Sequence, residues 1–202
     1  SLYLRIEEEK MDGEAWGNLW KEAKAAQHQK GYQQAYRSME AAAKDTEGEM
    51  LFYQSKVCEG VFHRISSGTT RDGLEVFGKM EKGYLLSVDS NWDMYGEGYL
   101  SGHYFSEEAL RKQLEKAYPG LVFTEESPEK QINMYKRDKV GHILSLTVGN
   151  KTISGEEFRK LLELPSSNFT MQAADGKIRF LCKGQGHGLG LSQYGGNVLA
   201  KE

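Results

Sequence analysis

Residues 169–182, FTMQAADGKIRFLC, decide the fold class. The dipeptide Asp175-Gly176 separates two β-prone runs, at 169–173 and 177–182. Asp-Gly is typical of the type I′ turn in a two-residue hairpin, because both central residues of that turn need a positive φ. The stretch therefore predicts an antiparallel hairpin.

Upstream of this hairpin, the sequence alternates helix starts with further β-rich runs. Residues 154–157, SGEE, form a capping box and predict a helix. Ser106 is followed by two glutamates, which predicts a second helix that ends before Pro119. Four further β-rich regions are expected, with hairpins in the first and last: 50–63, 84–88, 99–105 and 131–148.

The first 45 residues have a helical pattern. Their clearest apolar set recurs at 3.6-residue spacing at Tyr32, Ala35, Tyr36, Met39 and Ala43. Together these patterns predict an α+β fold, mainly antiparallel hairpins with inserted helices, in a single compact domain. That domain spans residues 1–202, with a helical part at 1–45 and an α+β part at 46–202.

Composition excludes several function classes. The 26 Lys and Arg residues against 29 Asp and Glu residues give a net charge of −3, without a basic block, so nucleic acid is not an expected partner. No stretch approaches the roughly 18 apolar residues of a membrane helix, and the first residues lack a signal-peptide layout. Any export signal or anchor is expected outside this sequence. Cys58 and Cys182 lack zinc-binding spacing, which leaves free thiols or one disulfide open.

The most unusual stretch is the glycine segment, residues 184–195, GQGHGLGLSQYG. In an extended strand its alternating glycines would leave one face bare, so that a substrate or another backbone can approach closely. Ser192 can cap a helix that presents Gln193 and Tyr194, whose amide and phenol suit carbohydrate. The alternative is that the glycines only permit tight packing and the polar residues only cap the helix. The spacing does not fit a nucleotide-binding loop.

A second candidate is the hydroxyl segment, residues 62–70, FHRISSGTT. Its hydroxyls could orient a sugar, and His63 titrates near neutral pH and could act as a base. The alternative is a turn whose Ser and Thr side chains bond the local backbone. The sequence has no GxSxG elbow, so it gives no support to a Ser-His-Asp hydrolase. The five histidines are scattered and do not form a metal-binding motif. His28, His103 and His142 are expected to be surface or strand residues without a role.

Together, the two segments resemble the SpoIID/LytB family of stage II sporulation protein D and the amidase enhancers. Residues 186–195, GHGLGLSQYG, are similar to the family's GHGxGxSQYG signature, and the hydroxyl segment is similar to its FHSxSGGxT segment. Residues 45–48, DTEG, and 84–93, YLLSVDSNWD, are further matches. The resemblance extends from about Lys44 onward.

The resemblance implies a lytic transglycosylase that cuts peptidoglycan glycan strands between N-acetylmuramic acid and N-acetylglucosamine. One carboxylic acid would protonate the leaving oxygen and then help the muramoyl 6-hydroxyl close a 1,6-anhydro ring, unlike the two-carboxylate pattern of ordinary glycosidases. The family's Glu-Met-Pro segment and the helix after it have no match here. We therefore expect an N-terminally truncated domain whose catalytic acid lies upstream of Ser1, and none of Glu7, Glu8 and Glu9 is assigned that role.

The resemblance also implies the surroundings of the site. The expected substrate-binding residues form two walls of a groove: His63, Ser66, Ser67 and Thr69 on one side, and His187, Ser192, Gln193 and Tyr194 on the other. No cofactor or metal is expected, because the stretch that carries His and Cys ligands in some members has only His28 here. The expected location is outside the cytoplasm, facing the cell wall. The alternative function is a non-catalytic wall-binding module that stimulates a partner amidase.

Overall fold

The computed structural model describes residues 32–202, and the chain divides into two compact units between Glu59 and Gly60. The described part of the first unit contains helix α1, Tyr32–Asp45, as predicted. It also contains an antiparallel hairpin of β1, Phe52–Tyr53, and β2, Lys56–Val57. The expectations for residues 1–31 lie outside the described residues.

The second unit contains helices and mainly antiparallel sheets, which confirms the α+β class. Its helices are α2 (Gly73–Phe77), α3 (Glu107–Ala117), α4 (Gly155–Leu161) and α5 (Gln193–Leu199), with short 3-10 helices at Met80–Lys82, Asn91–Tyr95 and Pro128–Gln131. Its strands are β3 (Phe62–His63), β4 (Leu100–Ser106), β5 (Ile132–Arg137), β6 (Ile143–Val148), β7 (Lys151–Ser154), β8 (Phe169–Ala174), β9 (Lys177–Lys183) and β10 (Leu191–Ser192). Two antiparallel sheets have the orders β4-β9-β8 and β5-β6-β7, whereas β3 and β10 pair in parallel.

Local sequence signals set the turns and helix starts. Asp175 and Gly176 have φ values of 53° and 70°, and they join β8 to β9 in the predicted hairpin. Ser154 Oγ accepts the Glu157 backbone N–H at 3.1 Å, and the Glu157 carboxylate accepts the Ser154 N–H at 2.8 Å. This reciprocal pair is the predicted capping box, and it fixes where α4 begins.

The hydrophobic core contains a cluster of three phenylalanines. Phe158 of α4 stacks on Phe169 of β8 with ring centroids 5.5 Å apart, and Phe180 of β9 contacts both rings at 5.8 and 5.4 Å. All three are almost fully buried, and burial of such a side chain stabilises a fold by about 1.5–3 kcal/mol. Leu110 and Leu114 of α3 belong to the same core. The core thus joins both helices to the β4-β9-β8 sheet.

The predicted strand over residues 84–88 is wrong, because this stretch is an irregular loop. Its backbone bonds to the last residue of the hydroxyl segment and to a residue shortly after that segment, instead of to a regular strand. The Thr70 N–H donates to Val88 O at 2.9 Å, and the Gly73 N–H donates to Leu85 O at 2.7 Å. These bonds hold the loop beside the site described below.

None of the helices between residues 32 and 202 has the length and apolar character that a membrane crossing requires.

Candidate functional site

The hydroxyl segment and the glycine segment lie side by side, although more than 110 residues separate them in sequence. His63 of β3 pairs with Ser192 of β10 in parallel register. Ile65, two residues after His63, exchanges backbone hydrogen bonds of 3.1 and 2.7 Å with Gln185 of the glycine segment. The fold therefore brings together the two segments from which the site was predicted.

The glycine segment is not the extended strand that was predicted. Gly184, Gly186, Gly188 and Gly190 all have positive φ, between 71° and 104°, so the bare one-sided face does not exist. Their lack of a side chain instead permits close packing: a Cβ on Gly186 would lie 2.8 Å from the Cβ of His63. Gly184 and Gly186 thus pack closely against the hydroxyl segment, which agrees with the alternative that the glycines permit tight packing.

Asp93 joins the two segments through its buried carboxylate. One oxygen accepts the Ser66 backbone N–H at 2.8 Å, and the other accepts the Ser192 hydroxyl at 2.8 Å. Ser192 also caps helix α5 by accepting the Gly195 N–H at 3.4 Å, as predicted for the cap. Ser66 Oγ accepts the Gly68 N–H at 3.1 Å. Both serines are buried and bonded internally, so they shape the two loops.

The two histidines of the segments have defined tautomers when neutral. His63 Nδ1 lies 2.9 Å from the carbonyl oxygen of Leu189, which can only accept, so this nitrogen carries the proton. His63 Nε2 is buried without a hydrogen-bond partner among the described residues. His187 Nδ1 accepts the Leu189 N–H at 3.1 Å, which leaves the proton on Nε2. The two rings lie 5.9 Å apart.

Burial keeps both imidazoles neutral. It lowers the pKa of His63, although the hydrogen bond to Leu189 and the charge of Asp93 act in the opposite direction. Burial, followed by repulsion from His63, lowers the pKa of His187 to about 4. At neutral pH the His187 ring therefore offers a neutral N–H donor.

Arg71 donates hydrogen bonds to the backbone of the glycine segment, and the sequence analysis did not identify it. Its backbone N–H donates to Gly188 O at 2.7 Å, and its guanidinium donates to His187 O at 3.0 Å. The buried guanidinium also pairs with Asp138 at 2.6 Å and Glu156 at 3.4 Å. Arg71 directly follows the hydroxyl segment in sequence, but its acidic partners lie on distant elements.

His142 was expected to be a surface or strand residue without a role, but it lies in the interior, directly before strand β6. The residue is buried, and its Nδ1 lies 3.0 Å from Ser167 Oγ, which donates to Glu156 at 2.6 Å. Its Nε2 is close to Gly188, where a Cβ would lie 2.9 Å away. Burial and the charge of Arg71 hold the pKa of His142 well below its ordinary value. His142 thus packs beneath the glycine segment as a neutral ring.

Five of the predicted substrate-binding residues are partly exposed: Ser67, Thr69, His187, Gln193 and Tyr194. Thr69 Oγ1 lies 3.2 Å from an oxygen of Asp89. The hydroxyl oxygen of Ser67 is buried and has no hydrogen-bond partner within residues 32–202. The Tyr194 ring lies against Gly96, where a Cβ would be 3.4 Å from Cδ2. Whether these side chains contact a substrate stays a prediction.

Comparisons with known proteins support the same resemblance. The chain matches no profile of a protein family. It is 30% identical over 171 residues to the stage II sporulation protein D of Bacillus amyloliquefaciens, covering 85% of this chain and 47% of that protein. The protein of the same name from Bacillus subtilis strain 168 is 27% identical over 172 residues, covering 85% and 48%. These matches support a SpoIID-like family for this chain.

A third relative is an uncharacterized protein of Brachyspira hyodysenteriae, 29% identical over 168 residues, with 81% of this chain and 44% of the relative covered. The SpoIID-like chain thus spans about half the length of the curated relatives that it matches.

The carboxylates of Asp93 and Glu156, beside the SpoIID-like segments, already have partners. Burial raises the pKa of Glu156, but the charge of Arg159, the hydrogen bond from Ser167 and the charge of Arg71 outweigh it and lower the pKa overall. Glu156 is therefore ionised at neutral pH and unsuited to donate a proton. Among residues 32–202, His, Cys, Asp and Glu side chains do not form a group of three that could hold a metal ion.

Proposed function

We propose that this chain is the glycan-binding part of a lytic transglycosylase that acts on the cell wall during sporulation. The bond cut would be the one between N-acetylmuramic acid and N-acetylglucosamine, with a 1,6-anhydro product. The observation that carries the proposal is the direct pairing of the hydroxyl and glycine segments, tied by the Asp93 carboxylate. Two relatives named stage II sporulation protein D support the biological setting.

In this proposal the partly exposed residues contact the glycan, and the buried ones hold the walls in place. Gln193 and Tyr194 lie in the first turn of α5, which Ser192 caps. An amide supplies both donors and an acceptor to sugar hydroxyl and acetamido groups, and a phenol supplies a flat apolar face with a polar tip.

His187 would act as a neutral hydrogen-bond donor. Its Nδ1 is occupied by the Leu189 N–H, so the proton on Nε2 is the one that a sugar oxygen could meet. Because the pKa of His187 is lowered to about 4, this donor keeps its tautomer through the neutral range.

The general acid would be a carboxylic acid outside residues 32–202. Asp93 already accepts two hydrogen bonds, and Glu156 is ion-paired and ionised. An acid that protonates the leaving oxygen needs its proton at neutral pH, which the lowered pKa of Glu156 does not favour. We place the protein outside the cytoplasm, facing the peptidoglycan.

A non-catalytic module that binds glycan strands and stimulates a partner amidase is the second candidate. The occupied carboxylates favour it, because a binding module needs the walls of the groove but no proton donor. The two candidates differ in whether the complete gene product cleaves strands without a partner.

Variants of the complete gene product test the assignment of the groove. Gln193→Ala and Tyr194→Ala are incubated with peptide-free glycan strands, and the release of shorter strands is measured. We expect each variant to lose about tenfold in rate, corresponding to one good polar or aromatic contact. Tyr104→Ala, at an exposed tyrosine of β4, serves as the matched control. Full activity in both groove variants would refute the assignment.

A further inference from the structure

An aromatic pair stands on the 3-10 helix that carries Asp93. A 3-10 helix has three residues per turn, so the side chains of Trp92 and Tyr95 lie on the same side, one turn apart. Their ring centroids are 6.5 Å apart, and the rings are tilted by 46°. Asp93 is 0% exposed, whereas Trp92 is 43% and Tyr95 77% exposed. The helix thus buries its acid and presents two aromatic rings to solvent.

The helix beneath the aromatic pair is held firmly in place. Asp93 binds both segments of the site, as described above. At the start of the helix the Ser90 N–H donates to Gly68 O at 2.9 Å, and at its end the Gly96 N–H donates to Asp93 O at 2.9 Å. The helix also packs against α5. The two rings therefore project from a fixed backbone, and a ligand need not order that backbone on binding.

The pair is continuous with both walls of the candidate groove. Gly96, the residue after Tyr95, lies against the Tyr194 ring, where a Cβ would be 3.4 Å from Cδ2. On the other side, Met94 lies over Gly68 of the hydroxyl segment, where a Cβ would be 3.6 Å from its Cγ. A chain-like ligand lying in the groove would meet the pair when it extends by a short distance.

The chemistry of the pair fits a sugar chain. Indole and phenol rings combine a flat apolar face with a polar tip, and a pyranose ring presents C–H groups on its faces and hydroxyls at its edge. The neighbouring site residues carry hydroxyl and amide groups, in Ser67, Thr69 and Gln193. The net charge of −3 does not favour a nucleic-acid strand, the other polymer that stacks on aromatic rings.

We propose that Trp92 and Tyr95 form a stacking platform for a sugar ring of the glycan strand, one subsite beyond the paired segments. This subsite rests on the proposed function, because it extends the same groove. The affinity for a glycan then depends on its length. Oligosaccharides long enough to reach the platform bind more tightly than shorter ones.

Calorimetric titration of the 202-residue chain tests the platform. The probes are peptide-free oligosaccharides of alternating N-acetylglucosamine and N-acetylmuramic acid, two to eight sugars long. We expect Trp92→Ala and Tyr95→Ala each to weaken binding of the long probes by about tenfold and to remove the advantage of length. Trp92→Phe, which keeps a flat ring, should lose less, and Tyr104→Ala should bind like the unchanged chain. Circular dichroism verifies that each variant is folded.

The outcomes separate the platform from the function that it extends. Failure of the unchanged chain to bind any probe would refute both. Tight binding that Gln193→Ala weakens but Trp92→Ala and Tyr95→Ala leave intact would refute the platform alone. If these two variants keep glycan affinity but lose self-association in sedimentation, the pair is a contact between copies of the chain, and the platform is likewise refuted.

Discussion

The carboxylate of Asp93 lies 2.8 Å from the hydroxyl of Ser192, a residue 99 positions later in the chain. Its second oxygen accepts the Ser66 backbone N–H, so one buried side chain holds both segments of the candidate site. Hydrogen bonds to a buried carboxylate contribute more to stability than bonds between neutral groups, because no water is present to hydrogen-bond the charge if they are lost. The arrangement of the site therefore depends on Asp93.

Asp93→Asn should lower the free energy of unfolding by about 1–3 kcal/mol. The amide nitrogen must face either the Ser66 N–H or the Ser192 hydroxyl, and one of these donors then loses its acceptor. Urea denaturation measures the change. Asp175→Asn, in the exposed turn between β8 and β9, is the matched control and should be nearly neutral, since Asn also tolerates positive φ. Equal stability of Asp93→Asn and the unchanged chain would contradict the role of Asp93.

Gly188→Ala should destabilise the protein more than Gly176→Ala. Both glycines have positive φ, 76° and 70°, so both substitutions carry the left-handed cost of about 1–2 kcal/mol. A Cβ at Gly188 also approaches His142 Nε2 at 2.9 Å and Arg71 Cδ at 3.0 Å, whereas a Cβ at Gly176 meets nothing within 4 Å. The extra cost is about 1–3 kcal/mol. Urea denaturation of both variants compares them, and equal losses would show that close packing beneath the glycine segment is unimportant.

Stability should decrease as pH falls from 6.5 towards 4.5. The pKa values of His63, His142 and His187 are lowered in the folded protein, mainly by burial. In this window the unfolded chain therefore binds more protons than the folded one, and protonation favours unfolding. Above about pH 6.5 these histidines are mostly neutral in both the folded and the unfolded chain, so their contribution to stability is fully present. With a folded pKa of about 4, His187 alone accounts for about 2 kcal/mol of the loss.

Urea denaturation at several pH values measures this slope, and His187→Gln should flatten it. The lowered pKa of Glu156 affects a different window, since its stabilisation is present above pH 4.5 and is lost at lower pH. A stability that stays constant between pH 6.5 and 4.5 would argue against three buried neutral histidines.

Thiol labelling should distinguish the two cysteines. Cys182 is fully buried in β9, and burial raises the pKa of its thiol to about 12, whereas Cys58 is partly exposed. The thiolate is the reactive form, so at pH 8 a disulfide reagent should modify Cys58 rapidly and Cys182 only after unfolding. Both are free thiols in the structure. Failure of both to react in urea without reductant would indicate a disulfide between them.

Features encoded by a few neighbouring residues were predictable from the sequence. The Asp175-Gly176 hairpin and the helices that begin after Ser106 and Ser154 formed as expected. Their signals are local, since a turn needs particular φ values and a cap needs one side-chain oxygen at the right position. The pairing of the hydroxyl and glycine segments carries no such signal.

The errors have a common physical cause, which is bonding between distant residues. Residues 84–88 have a strand-like composition, but their backbone bonds to Thr70 and Gly73 in an irregular loop. The alternating glycines suggested an extended strand, yet positive φ at each of them fits the segment over Arg71 and His142. Neither Arg71 nor His142 belongs to a recognisable spacing, because their partners are set by tertiary structure.

The most direct test is mass spectrometry of peptide-free glycan strands after incubation with the complete gene product. The account predicts products lighter by one water than those of hydrolysis, because the muramoyl 6-hydroxyl closes the anhydro ring in place of an attacking water. Strands that stay intact, or that give hydrolysis products, would contradict cleavage by a lytic transglycosylase.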